Sequence, residues 1–196
     1  MLTKDEMLAP LARLREDQIV VTTMSVVRPW ARHSQSELDF ASADSAMGHA
    51  ADLALGLALA QPKRGVICLN GDGSMLMSLG TLATIVDSGV TNLTLVIVVN
   101  GTYEITGSQP LAAHGTIDFE AVARAVGFRR TYAFDQADEY ERQLPEVLAG
   151  VGPVLASVCV EPGSEGPLAR RPSAASPYLR TSLRESARQL RDALSG

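Results

Sequence analysis

The chain has 196 residues, 46% of them hydrophobic, and a formal net charge of −5. That length and apolar content suit one domain with one buried core. The acidic balance argues against a general nucleic-acid binder, no apolar run is long enough to span a membrane, and the N-terminal MLTKDEMLAP lacks a signal-peptide core, so a cytoplasmic protein is expected.

Residues 5–16 place Met7, Leu8, Leu11 and Leu14 at helical spacing and predict a helix. Residues 18–23 are a β-branched run and predict the first strand, whose end (Thr22-Thr23-Met24-Ser25) can reach a functional sheet edge. Residues 26–45 read as an irregular segment containing Pro29, Trp30 and His33, and loops of that length often serve binding or an interface. Trp30 reads as a packing residue rather than a ligand contact. Ser45-Ala46-Met47-Gly48-His49 then leads into an Ala- and Leu-rich helix over 50–60, and the chain turns at Pro62.

Two apolar runs follow, at 65–70 and 93–100. Between them residues 74–88 carry Met75, Leu79, Leu82, Ile85 and Val86 at helical spacing. A strand, a helix and a second strand make two parallel strands with a right-handed crossover, so both C-terminal tips fall on one sheet edge. The first tip is Gly71-Asp72-Gly73-Ser74, and the second is Asn100-Gly101-Thr102-Tyr103. One carboxylate and one carboxamide therefore meet in space. With a nearby backbone carbonyl they form a hard oxygen set suited to Mg2+, which completes its shell with phosphate oxygens and water. Gly71 and Gly73 permit a sharp turn and close approach, and Ser74 lies at a helix start that favours a phosphate. The alternative is a tight βα turn with Asp72 as a helix cap, followed by an unrelated second turn.

Residues 101–117 read as a loop with Pro110 and His114. A helix is expected over 119–126, capped by Asp118 and ended at Gly127, then a strand over 128–134, a helix over 135–148 and an apolar strand over 153–161. Residues 162–177 are rich in Pro, Gly and Ser and predict an extended linker. Residues 178–194 are amphipathic, with Leu179, Leu183, Ala187, Leu190 and Leu194 on one side and an Arg-rich face beside them. Cys68 and Cys159 both fall in apolar runs, as buried reduced thiols do. The fold expected is α/β: a doubly wound, mostly parallel sheet with helices on both faces. Its organisation is a domain over 1–162, a linker over 163–177 and a C-terminal helix over 178–196 that packs on the domain or on a partner.

GDGS, the apolar LMSLGTLATI, NLTLVIVV and then NGTY resemble the cofactor-binding signature of thiamine-diphosphate-dependent enzymes. More narrowly, SAMGHA, GDGSMLMSLGTLATI and NGTYEITGSQP are similar to the decarboxylases of sulfopyruvate and phosphonopyruvate, over about residues 44–161. One departure is Val99, which stands where the first of a pair of Asn residues is expected; Asn100 matches the second.

The resemblance implies thiamine diphosphate and Mg2+ as cofactors, with Asp72, Asn100 and the carbonyl of Thr102 on the metal. It implies that the Ser45 carbonyl meets the aminopyrimidine and that Met47 wedges under the bent cofactor beside Gly48. Plain core packing is the other reading of Met47. Gly71, Gly73 and Ser74 fall to the diphosphate, and Tyr103 and Ile105 lie along the cofactor. Glu104 through Gln109 are expected to face the substrate. His49 and Glu104 are the candidate catalytic side chains, against a structural hydrogen bonder and a solvated loop residue respectively. The family's activating Glu sits on a separate pyrimidine-binding domain, which is expected on an alpha-type partner chain, so the expected protein is a hetero-oligomer acting on a small anionic 2-oxo acid. Another carboligase or oxidoreductase of the superfamily, or a non-catalytic scaffold keeping the fold, competes with that expectation. Neither a nucleic acid nor a membrane is expected as a partner.

Overall fold

The computed structural model of the protein describes residues 1–41, 47–112 and 114–195. In chain order its elements are α1 (Lys4–Leu14), β1 (Ile19–Thr22), α2 (Val27–His33), β2 (Asp39–Ala41), α3 (Ala50–Ala60), β3 (Val66–Gly71), α4 (Asp72–Met77) and α5 (Thr81–Asp87). They continue with β4 (Leu93–Val99), β5 (Thr102–Tyr103), β6 (Gln109–Pro110), α6 (Phe119–Val126), β7 (Arg130–Phe134), α7 (Ala137–Ala149), β8 (Val154–Cys159) and α8 (Leu183–Ala193).

Six strands form a wholly parallel sheet in the order β2-β1-β3-β4-β8-β7. β5 and β6 make a separate antiparallel hairpin. Parallel strands covered on both faces read as continuous apolar runs, and β4 (LTLVIVV) is buried at six of its seven positions. One core layer joins the sheet to α3, α5 and α6 through Leu55, Leu82, Ile85 and Ala123. The other joins it to α1, α2 and α7 through Leu8, Leu11, Trp30 and Leu144. Helices thus lie on both faces. The chain leaves β1 toward β2 on one side and leaves β3 toward β4 on the other, so the strand order reverses between β1 and β3. Such a switch point opens a crevice at the carboxyl ends of the strands.

Several local expectations needed correction. The segment 26–45 is not irregular throughout: it folds α2, with Trp30 fully buried, and the short strand β2. Pro29 falls in the first turn of α2, where the backbone N–H groups have no intrahelical partner, so it does not break the helix. The single helix expected over 74–88 is two short ones, α4 and α5, parted at Ser78-Leu79-Gly80. The Ser78 hydroxyl there donates to the Gly48 carbonyl, tying the break to the loop before α3. The C-terminal helix begins at Leu183, because Pro177–Leu179 forms a 3-10 turn and Ser182 caps the Glu185 N–H at 3.2 Å. The residues before it are packed down rather than free: the Arg170 guanidinium donates to the carbonyls of Ala41, Tyr178 and Thr181, and Arg28 holds those of Gly166 and Pro167.

α1 starts with a capping box, Thr3 Oγ1 accepting from Glu6 N and Glu6 Oε2 from Thr3 N. No helix among the described residues is long and apolar enough to cross a membrane. Cys68 is buried and Cys159 half-buried, both as free thiols, and burial raises the Cys68 thiol far above its ordinary range. Tyr140 on α7 is fully buried against the edge of Phe134, with its hydroxyl unpartnered. Tyr140→Phe is therefore expected to leave stability unchanged or raise it by about 1 kcal/mol in denaturant unfolding. A loss of that size would reveal a partner for the hydroxyl.

Candidate functional site

The β3–β4 register sets Gly71 opposite Val98, so the two tips end level with one another. Asp72, buried at the first turn of α4, spans them. Its Oδ1 accepts from Gly73 N at 2.8 Å, and its Oδ2 accepts from Gly101 N, 29 positions away, at 2.7 Å. Gly101 has φ +73°, and a Cβ there would lie 2.2 Å from the His114 ring, so this pivot admits only glycine. Asn100, also buried, turns its Oδ1 to Thr102 N at 3.1 Å. An ionised carboxylate offers about four lone-pair sites, and beyond these two short bonds Asp72 retains acceptor capacity for a further ligand. Burial pushes its carboxyl above the ordinary range despite the N–H groups it accepts from, and a cation would reverse that.

The crevice they form holds about 30 Å³ and is lined by Asp72, Asn100, Thr102 and Met47 together with Met24 and Ser25 from the turn after β1. Met24 sits at φ +48°, a strained conformation for a residue other than glycine, of the kind held at functional sites. The volume suits an ion rather than a whole coenzyme. A far larger cavity, about 730 Å³, lies between β2 and α8. We place function at the small crevice, because there a buried carboxylate and a buried carboxamide from neighbouring strand tips converge.

Other positions singled out in the sequence fall as follows. Ser45 lies outside the described residues. Met47 lines the crevice, and Gly48, at φ +87°, donates its N–H to Ser74 Oγ at 2.9 Å. Ser74 therefore anchors the loop before α3 as well as opening toward the crevice. Gly71 would direct a Cβ into open space, whereas a Cβ on Gly73 would strike the Tyr103 ring at 2.7 Å. Gly73 thus makes room for Tyr103, which covers the turn, and Ile105 borders the same crevice. His49 is exposed, does not line the crevice, and places Nδ1 2.7 Å from Asp52 Oδ2.

Glu104 is not the solvated loop residue of the alternative reading: it borders the crevice, its side chain is 1% exposed, and it accepts from Lys4 Nζ at 2.6 and 2.8 Å, Asn100 Nδ2 at 2.7 Å and Glu165 N at 2.8 Å. Lys4, which the sequence reading missed, lies 100 positions away with no local pattern to mark it.

Residues 21–158 match the family model described as the C-terminal TPP (thiamine pyrophosphate, that is, thiamine diphosphate) binding domain of thiamine pyrophosphate enzymes. The chain belongs to this family. Its TPP-binding domain is 42% identical over 118 residues to the sulfopyruvate decarboxylase beta subunit of Methanothermobacter thermautotrophicus, covering 60% of this chain and 60% of that one. It is 40% identical over 125 residues to the phosphonopyruvate decarboxylase of Streptomyces viridochromogenes, covering 64% of this chain and 31% of that protein. The chain thus spans about a third of one relative and three fifths of the other. The 4-hydroxybenzoylformate decarboxylase structure from Rhodococcus jostii RHA1 superposes with a TM-score of 0.70 at 24% identity, over 84% of this chain and 33% of that one. That likeness supports the TPP-binding fold and nothing finer.

The residues present fit a metal-bound diphosphate. Thr102 Oγ1 lines the crevice buried and without a partner, Asp72 keeps spare lone pairs, and Gly71 leaves open space. Among the described residues no group of three or more His, Cys, Asp or Glu side chains could hold a metal. Of the two carboxylates bordering the crevice, Glu104 is already paired with Lys4, so a cation there would take Asp72 and complete its shell from neutral oxygens, phosphate and water.

Proposed function

We propose that this chain is the cofactor-binding subunit of a two-subunit thiamine-diphosphate-dependent decarboxylase acting on a small anionic 2-oxo acid, sulfopyruvate-like or phosphonopyruvate-like. The observation that carries the reading is the meeting of Asp72 and Asn100 at adjoining strand tips, in a chain of this family whose relatives are named for such decarboxylations. Asp72, Asn100 and the Thr102 carbonyl hold Mg2+, and Gly71, Gly73 and Ser74 face the diphosphate. Ser45, Met47, Gly48, Tyr103 and Ile105 support the rest of the coenzyme. When bound, thiamine diphosphate supplies the nucleophilic carbon and the electron sink for CO2 loss.

This chain's own part is to bind, orient and keep water from the metal and diphosphate. The activating Glu comes from an alpha-type, pyrimidine-binding partner, a reading supported by the beta-subunit name of the archaeal relative. His49, exposed and oriented by Asp52, is the side chain here most readily turned to proton transfer once a partner covers it. Residues 1–162 form the cofactor domain, 163–177 connect, and the C-terminal segment carrying the helix Leu183–Ala193 packs back. Two reduced cysteines fit a cytoplasmic site of action.

The test is copurification of the tagged chain from its own organism, followed by assay of CO2 release from a panel of 2-oxo acids with thiamine diphosphate and Mg2+. Copurification of a partner carrying the activating Glu, with CO2 released from an anionic 2-oxo acid, is the expected result. Cofactor binding without CO2 release would move the assignment to another carboligase of the superfamily. No cofactor binding by the assembled protein would leave a scaffold.

A further inference from the structure

Asn100 can present either end of its carboxamide to the crevice, and only the oxygen can ligate a cation. The geometry shows what decides between the two ends. Asn100 Nδ2 donates to Glu104 Oε2 at 2.7 Å, which turns Oδ1 the opposite way, to accept from Thr102 N at 3.1 Å, in a residue that lines the crevice with Asp72. A flipped amide would set its oxygen against a carboxylate oxygen and its NH2 against an N–H, losing both bonds. Glu104 can play this part because its other acceptor capacity is spoken for. Lys4 bridges both of its oxygens, and Glu165 N, from the segment after β8, closes on Oε1. A Cβ at Gly163 would lie 2.5 Å from Glu104 Oε1 and 2.8 Å from Lys4 Nζ, so the chain seals this pair closely.

We infer that Glu104, held by Lys4 and Glu165 N, is a positioning residue that fixes the Asn100 carboxamide with its oxygen toward the metal. The inference rests on the proposed function and deepens its metal site. It couples the start of α1 and the segment after β8 to a strand tip that neither element touches in sequence.

The test uses the full chain with its copurified partner and reads Mn2+ binding by electron paramagnetic resonance in the presence of thiamine diphosphate, with unfolding temperature measured alongside. Glu104→Gln replaces one of the two acceptor oxygens by a donor, so Lys4, Glu165 N and Asn100 can no longer all be satisfied, and Mn2+ affinity is expected to fall about 10- to 100-fold. The reversed pair Asn100→Asp/Glu104→Gln restores one donor facing one acceptor. It is expected to recover affinity to within about threefold of the wild type, whereas two unrelated lesions at a buried site would compound. Unchanged affinity in Glu104→Gln, or no recovery in the reversed pair, overturns the inference while leaving the cofactor assignment intact. If wild-type protein binds no Mn2+, the proposed function and this inference fall together. Should the variants not fold, wild-type NMR decides: slow exchange of the Asn100 side-chain amide protons supports the inference, and rapid exchange overturns it.

Discussion

Lys4→Met is expected to destabilise the protein by about 3–5 kcal/mol, because it strips a buried carboxylate of its counter-charge. The Lys4 and Glu104 side chains are 9% and 1% exposed, so neither can be rescued by water where it stands. With Lys4 gone, Glu104 keeps only the Asn100 amide and the Glu165 N–H, both neutral donors. The pair is not thereby a large net source of stability, since removing both charges together can be nearly neutral. Adding Glu104→Gln to Lys4→Met is accordingly expected to recover much of the loss. Arg13–Glu141, at 61% and 60% exposure, is the internal control: Arg13→Met should cost less than about 1 kcal/mol, as exposed pairs do. Urea unfolding of the three variants measures the difference, and a Lys4→Met protein no weaker than Arg13→Met would refute the account of this buried pair.

Asp72→Ala is expected to abolish the stabilisation that thiamine diphosphate and Mg2+ confer together. For the wild type, ligand at a hundredfold excess over its dissociation constant adds about 2.7 kcal/mol, which a thermal shift resolves easily. The variant should show almost none of it, because the crevice loses the carboxylate not already paired with a lysine. Without ligand the variant also loses the acceptor for two backbone N–H groups, Gly73 and Gly101, at a cost of about 1–3 kcal/mol. The pH dependence has a definite sign. Burial raises the Asp72 carboxyl above the ordinary 3.8, so the folded chain binds its proton more readily than the unfolded chain does. The wild type's stability contribution from this group therefore falls as pH rises from 3.8 through the raised value, and the variant lacks that slope. A full ligand-induced shift in Asp72→Ala would rule out the proposed metal site.

Much of this protein is legible in its sequence because the signals are local. The continuous apolar runs and the helical spacings mark β3, β4, α3 and α6, and parallel pairing across a crossover brings Asp72 and Asn100 to one edge without any knowledge of the rest. The turn chemistry of Gly71-Asp72-Gly73 and Asn100-Gly101 is likewise carried by the residues themselves. The tertiary structure alone decided the remainder. The break between α4 and α5 depends on a Ser78 hydroxyl reaching a loop well upstream, and the helix that carries the buried Trp30 runs through a segment that reads as irregular. Above all, the role of Glu104 was hidden. A carboxylate in a Gly-rich loop looks solvated until a lysine from the opposite end of the chain closes over it, and pairing at that separation leaves no periodicity to read. Residues next to one another in sequence fixed which atoms stand at the crevice; packing between distant segments fixed which way those atoms point.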